Sequence, residues 1–166
     1  MATNGSEVSL NSNSNAAARP GAKVNLRLWS DTTPFGGARR GIALVPEIIA
    51  DKGDARRDRK GGPLNSRFGR NYVSFEESGL NDAGQLEPCV AEILQAVAGS
   101  VYANLIKAKD IDATLWIAIF KPNFAYQGAI GENAVARASA LGVRIFIEDY
   151  TRVDEEGVPT KIWLND

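Results

Sequence analysis

Val24, Leu26 and Leu28 alternate with Asn25, Arg27 and Trp29, the period-two pattern of a strand with one buried face. This predicts a first strand. Asp31-Thr32-Thr33-Pro34 follows, and a threonine cap ahead of proline at a first helical position predicts a helix, weakened by Gly36, Gly37 and Gly41. From Asp51 to Arg70 the chain is glycine-rich and basic, which predicts a loop or flexible arm. Val73 and Phe75 then alternate with Tyr72, Ser74 and Glu76 as a second short strand.

Leu86, Val90, Ile93, Val97, Val101 and Leu105 recur at steps of three and four. That spacing predicts an amphipathic helix over 82–107, with Pro88 in its first turn and Gly99-Ser100 as a break point. Asp112 to Phe120 is apolar at nearly every position, as in a central strand covered on both faces, and Lys121-Pro122-Asn123 ends it. An alanine-rich helix over 129–141 stops at Gly142 in the C-cap position. Val143, Ile145 and Ile147 alternate with Arg144, Phe146 and Glu148 in a fourth strand. The acidic turn Asp154-Glu155-Glu156-Gly157 leads into a last strand over 158–164. The alternation of strands and helices predicts an α/β (α+β) two-layer sandwich, a four- or five-stranded sheet with helices mainly on one face.

Residues 1–22 hold eight Asn and Ser and no apolar periodicity, so they read as a disordered leader; 23–166 read as a single α/β domain. No apolar run reaches the roughly 18 residues that span a bilayer. The first residues lack the basic and apolar regions of a secretory signal, so the expected location is the cytoplasm, with no membrane partner.

Composition changes the chemistry that can be expected. The 166 residues contain no histidine, which removes the commonest general base and zinc ligand and every Ser-His or Cys-His pairing. One cysteine, Cys89, excludes a disulfide framework and multi-thiolate metal sites. With no histidine to activate it, Cys89 reads as a small apolar residue at a helix start. Glu148 and Asp149 point to opposite faces of a strand and so cannot easily share an ion. Asp154, Glu155 and Glu156 read as a solvated turn. No metal, cofactor or catalytic residue is expected.

Net charge is −1, but Lys52, Arg56, Arg57, Arg59, Lys60, Arg67 and Arg70 stand against only Asp51, Asp54 and Asp58, about +4 between Asp51 and Arg70. Such a loop could neutralise phosphates; the plainer reading is a solvated surface loop balanced by the C-terminal acids. Gly69-Arg70-Asn71-Tyr72-Val73-Ser74-Phe75 partly matches an RNA-recognition strand, with Arg70 where a stacking aromatic belongs. If the aliphatic phases point inward, Trp29, Tyr72, Trp116, Phe120, Phe146 and Tyr150 share the opposite sheet face with Arg27 and Arg144. Aromatics and arginine are enriched in binding hot spots. The alternative is that a loop, the N-terminal arm or another subunit covers these rings, and Trp116 and Phe120 are expected to be buried.

Ala43-Leu44-Val45-Pro46, Gly53-Asp54, Tyr72-Val73-Ser74-Phe75-Glu76, the helix with Leu86 and Ile93-Leu94, and Leu141-Gly142-Val143-Arg144-Ile145-Phe146-Ile147-Glu148-Asp149-Tyr150 together resemble the uncharacterised bacterial family called domain of unknown function 4279. The resemblance covers roughly Val24 to Tyr150. It implies a compact α/β domain of about this length and no catalytic or cofactor-binding residue.

The expectation from the chain is therefore a non-enzymatic cytoplasmic binding or interaction domain of accessory or immunity type, with a protein partner on Arg27, Trp29, Tyr72, Arg144, Phe146 and Tyr150. The alternatives are nucleic-acid binding through the basic loop 52–70 and a carboxylate-dependent enzyme. Oligomeric state is not legible.

Overall fold

The computed structural model describes residues 20–58, 60–121 and 130–165, the side chain of Arg39 excepted. It is an α+β fold in which a large sheet carries helices on one face. The strands are β1 (Ala22–Ser30), β2 (Pro46–Ala50), β3 (Ala55–Arg57), β4 (Pro63–Arg67), β5 (Asn71–Phe75), β6 (Ser78–Leu80), β7 (Asp112–Ile119), β8 (Val143–Val153) and β9 (Pro159–Trp163). The helices are α1 (Ala38–Gly41), α2 (Leu86–Ala98), α3 (Tyr102–Lys107) and α4 (Glu132–Leu141).

Seven strands form the main sheet, in the order β2-β5-β1-β7-β8-β9 with β6 also paired to β1. The expected four or five strands undercount it. β2 escapes period-two reading because Ile48 and Ile49 stand side by side with no alternation, and β6 because it has only three residues. β5 and β6 lie along the same side of β1: Arg27 to Ser30 pair with β5, and Ala22 to Val24 pair with β6. Ala22, assigned to the leader, is thus the first paired residue of β1; residues 1–19 lie outside those described.

Every other side chain of β1, β7 and β8 points at the helices. Val24, Leu26 and Leu28, Leu115 and Ile117, and Val143, Ile145 and Ile147 are at most 1% exposed. They meet Leu86, Val90, Leu94 and Val97 of α2 and Ala138 of α4. Each such aliphatic side chain contributes roughly 1.5–3 kcal/mol by leaving water, so this one interface holds the fold together.

The long helical pattern is interrupted where glycine stands. α2 ends at Ala98, Gly99 takes the cap, and α3 begins again at Tyr102. Before it, Asp82 and Gln85 close a reciprocal capping box around a short 3-10 turn over Ala83–Gln85. α4 stops at Gly142, whose φ of 75° lies in the left-handed region that a Cβ disfavours. The predicted start of α4 at Ala129 falls outside the described residues, as do Pro122 and Asn123.

Four further expectations change. The helix signalled by Thr33-Pro34 shrinks to the four residues of α1, because the glycines flanking it supply no helix propensity. β7 does sit at the centre of the sheet, but helices cover only one of its faces, and Trp116 on the other is half-buried. Phe120, expected in the core, is 38% exposed. The basic stretch, expected as loop or arm, folds into the separate two-stranded β3–β4 hairpin.

No helix of the described residues is long and apolar enough to cross a membrane.

Candidate functional site

The open face of the sheet is built by strand register. Arg27 pairs with Thr114, and Thr114 with Arg144, so the two arginines flank one buried threonine across β1, β7 and β8. With strands about 4.8 Å apart, their Cα atoms stand roughly 10 Å apart. The next row runs Asn25, Trp116, Phe146 and Trp163. On the other side, Tyr72, Trp29 and Asp112 form a third row. All three tryptophans of the chain therefore share this face.

The cations lean on the rings by the same diagonal step. The Arg27 guanidinium lies 4.2 Å from the centre of the Trp116 ring, and that of Arg144 lies 5.0 Å from the Trp163 ring. Each ring presents its negative face to a cation, which fixes a long side chain without a carboxylate partner. Among the described residues, neither arginine has an acid within ion-pair distance. Arg70 differs: it reaches Asp112 at 2.5 Å and Asp31 at 3.2 Å. The hydrogen bond it donates to Asp112 raises the pKa of its guanidinium above the ordinary value.

The carboxylates of the face are also engaged. Glu148 accepts from Trp116 Nε1 at 2.9 Å and from Tyr150 OH at 3.2 Å, and Lys161 stands 4.0 Å away. Burial, with Glu148 beside it, pushes the Tyr150 phenol above its usual value. Asp112 stands opposite Trp29, whereas Glu148 pairs with Ala118, six residues farther along β7, roughly 20 Å at strand rise. The structure does not bring these two acids together as an acid/base pair. Asp149, on the helix side and 3% exposed, accepts from the backbone N–H and hydroxyl of Thr151. No group of three or more acids and thiols able to hold a metal occurs among the described residues.

These side chains surround an open trough of about 470 Å³ lined by Arg27, Trp29, Arg70, Thr114, Trp116, Arg144, Phe146 and Trp163, with Asp112 and Glu148. A second hollow of about 440 Å³ shares Arg27, Trp29 and Arg70 with it and adds Arg56, Arg57, Arg67, Phe68 and Tyr72. The basic stretch therefore lies beside the aromatic face. Phe68 stacks on Tyr72 at 5.5 Å, Tyr72 meets Trp29 at 5.5 Å, and Arg56 lies 5.4 Å over Phe68.

The interspersed acids of that stretch shape its turns. Asp58 accepts from the backbone N–H of Lys60 and Gly62 at 2.8 Å each, and Asp54 accepts from the N–H of Asp51 at 2.9 Å. Gly53 and Gly61 supply the positive φ these turns need. Among the described residues no ion pair joins the hairpin to Asp154, Glu155 or Glu156, so the expected balancing by C-terminal acids corresponds to no contact. Lys52 and Lys60 are exposed away from the two hollows, and Arg59 lies outside the described residues.

Tyr150 stands beside the trough, stacked on Phe120 at 5.1 Å, and joins it by its hydrogen bond to Glu148. Sequence reading missed Trp163 and Phe68. Trp163 was legible in principle, since it keeps phase with Lys161 in a short last strand; Phe68 carried no signal, because it is placed by backbone pairing with Gly53 and Asp54 beyond the end of β4. Cys89 is half-buried, and burial pushes its thiol upward, against a weaker lowering by Ser78.

Comparison with protein-family models, curated proteins and solved structures finds no match to this chain.

Proposed function

We propose that this chain is a non-catalytic binding domain, working in the cytoplasm, that receives an anionic macromolecule on the open face of its sheet. One observation carries the reading: Arg27 and Arg144 flank Thr114 with no carboxylate partner among the described residues, each seated on a tryptophan ring. A cation that the protein does not neutralise, held by a ring at the wall of a trough, is ready to meet an incoming anion. The net charge of −1 supplies no long-range attraction, so recognition depends on this local patch. The resemblance to domain of unknown function 4279 enters the proposal through the fold alone and contributes no site residue.

Because all three tryptophans lie on this face, their emission reports on it. Titration with polyglutamate or heparin at low salt should change tryptophan emission, and R27A/R144A should abolish the change. If neither polyanion alters the emission of the wild-type chain, the reading fails.

A further inference from the structure

We infer that the occupant of this face is a single-stranded nucleic acid, lying across the sheet from the β3–β4 hairpin to β9. The inference rests on the binding reading above and names its ligand. A single strand uses cations and rings together, phosphates on the arginines and bases on the rings. The two adjoining hollows are walled by six arginines, Arg27, Arg56, Arg57, Arg67, Arg70 and Arg144, against two carboxylates that already have partners.

Rings interleave with these cations. Phe68, Tyr72 and Trp29 form a ladder with neighbouring centroids 5.5 Å apart, and Phe146 and Trp163 meet at 4.5 Å on the far side. Between them the guanidinium planes of Arg27 and Arg144 cover the rings beneath, and bases stack on arginine planes as they do on aromatic ones.

The shape fits a strand better than a duplex. The path from β5 to β9 crosses four strand spacings, about 19 Å, and its rings, half-buried among neighbours except for the exposed Trp163, are reachable by splayed bases and not by the sealed edges of a helix.

Fluorescence anisotropy of labelled oligothymidylate and oligouridylate, titrated with the full chain over a salt series, tests this. Both should bind, with affinity falling as salt rises. Exposed Arg144, replaced in R144A, should weaken binding and reduce the steepness of the log–log salt plot by about 0.7, the share of one single-strand phosphate. W29A should weaken binding roughly tenfold with the slope unchanged, and W29F should restore most of it, because stacking needs a ring and not a charge.

Unaltered circular dichroism keeps each variant interpretable. If polyglutamate perturbs the tryptophans but neither oligonucleotide binds, the ligand is an acidic protein; the inference falls and the binding reading stands. If the free chain sediments as a dimer that R144A dissociates and no oligonucleotide binds, the face is a self-interface and the inference also falls. If no polyanion of any kind binds, both fall. Duplex bound as tightly as single strand overturns the strand-specific assignment.

Discussion

The guanidinium of Arg27 stands 4.2 Å from the centre of the Trp116 ring, across the β1–β7 pair and one row along it. The contact joins the two central strands on the face that carries no helix, and it holds the arginine without neutralising it. Arg27→Ala should therefore lower the unfolding free energy by about 1 kcal/mol, the worth of a partly desolvated cation–π contact plus its packed stem. Urea unfolding measures this. An unchanged midpoint would mean that Arg27 rests on the ring without holding the sheet.

The two faces of the sheet should separate stability from binding. Leu115 is fully buried under the helices, and Leu115→Ala should cost about 2–5 kcal/mol. Arg144, exposed on the open face, should change stability by less than about 0.5 kcal/mol when replaced by Ala. Thermal unfolding of the two variants side by side gives the comparison, and equal losses would show that the open face is a structural layer.

Gly142 ends α4 at a φ of 75°, and a Cβ there would meet Ile106 Cγ2 at 3.1 Å. Gly142→Ala should cost about 1–2 kcal/mol, since both strain and crowding oppose it. Gly36, with open space around the position of its absent Cβ and no positive φ, should accept alanine with little change. Denaturant midpoints for the pair decide whether the cap conformation is enforced.

Tyr102 and Tyr150 both hold their protons above the ordinary phenol range, Tyr102 through burial and Tyr150 through burial and the neighbouring Glu148. The folded state then binds protons more tightly than the unfolded one. Stability from these groups is complete below the ordinary phenol value near pH 10 and is lost as pH rises through the raised native values. Tyr102→Phe should flatten the alkaline fall in stability, and ultraviolet absorbance titration should show one late-ionising phenol fewer. An unaltered alkaline limb would place the pH sensitivity elsewhere.

The regular elements were legible because their physics is local. Val24, Leu26 and Leu28 must face one way along a strand, Leu86 to Val97 must share one helix stripe, and Gly142 relaxes into the left-handed cap, whatever surrounds them. The same parity assigned Trp29, Arg27, Phe146 and Arg144 to one face before any strand was paired. Short β2 and β6 left no such trace, and the charge count over Asp51 to Arg70 read as a floating loop, since two turns closed by Asp54 and Asp58 depend on backbone geometry that composition does not encode.

What the chain determined by itself was which side chains face away from the core, because alternation is a property of a single strand. Only the tertiary structure decided that Arg27 and Arg144 flank the same threonine, that Trp163 closes the trough, and that Phe68 brings the basic hairpin against Tyr72. Those relationships are set by register between strands up to 136 residues apart, from Arg27 to Trp163, and register is fixed by the buried face, where a slip of one residue would turn every aliphatic side chain into water.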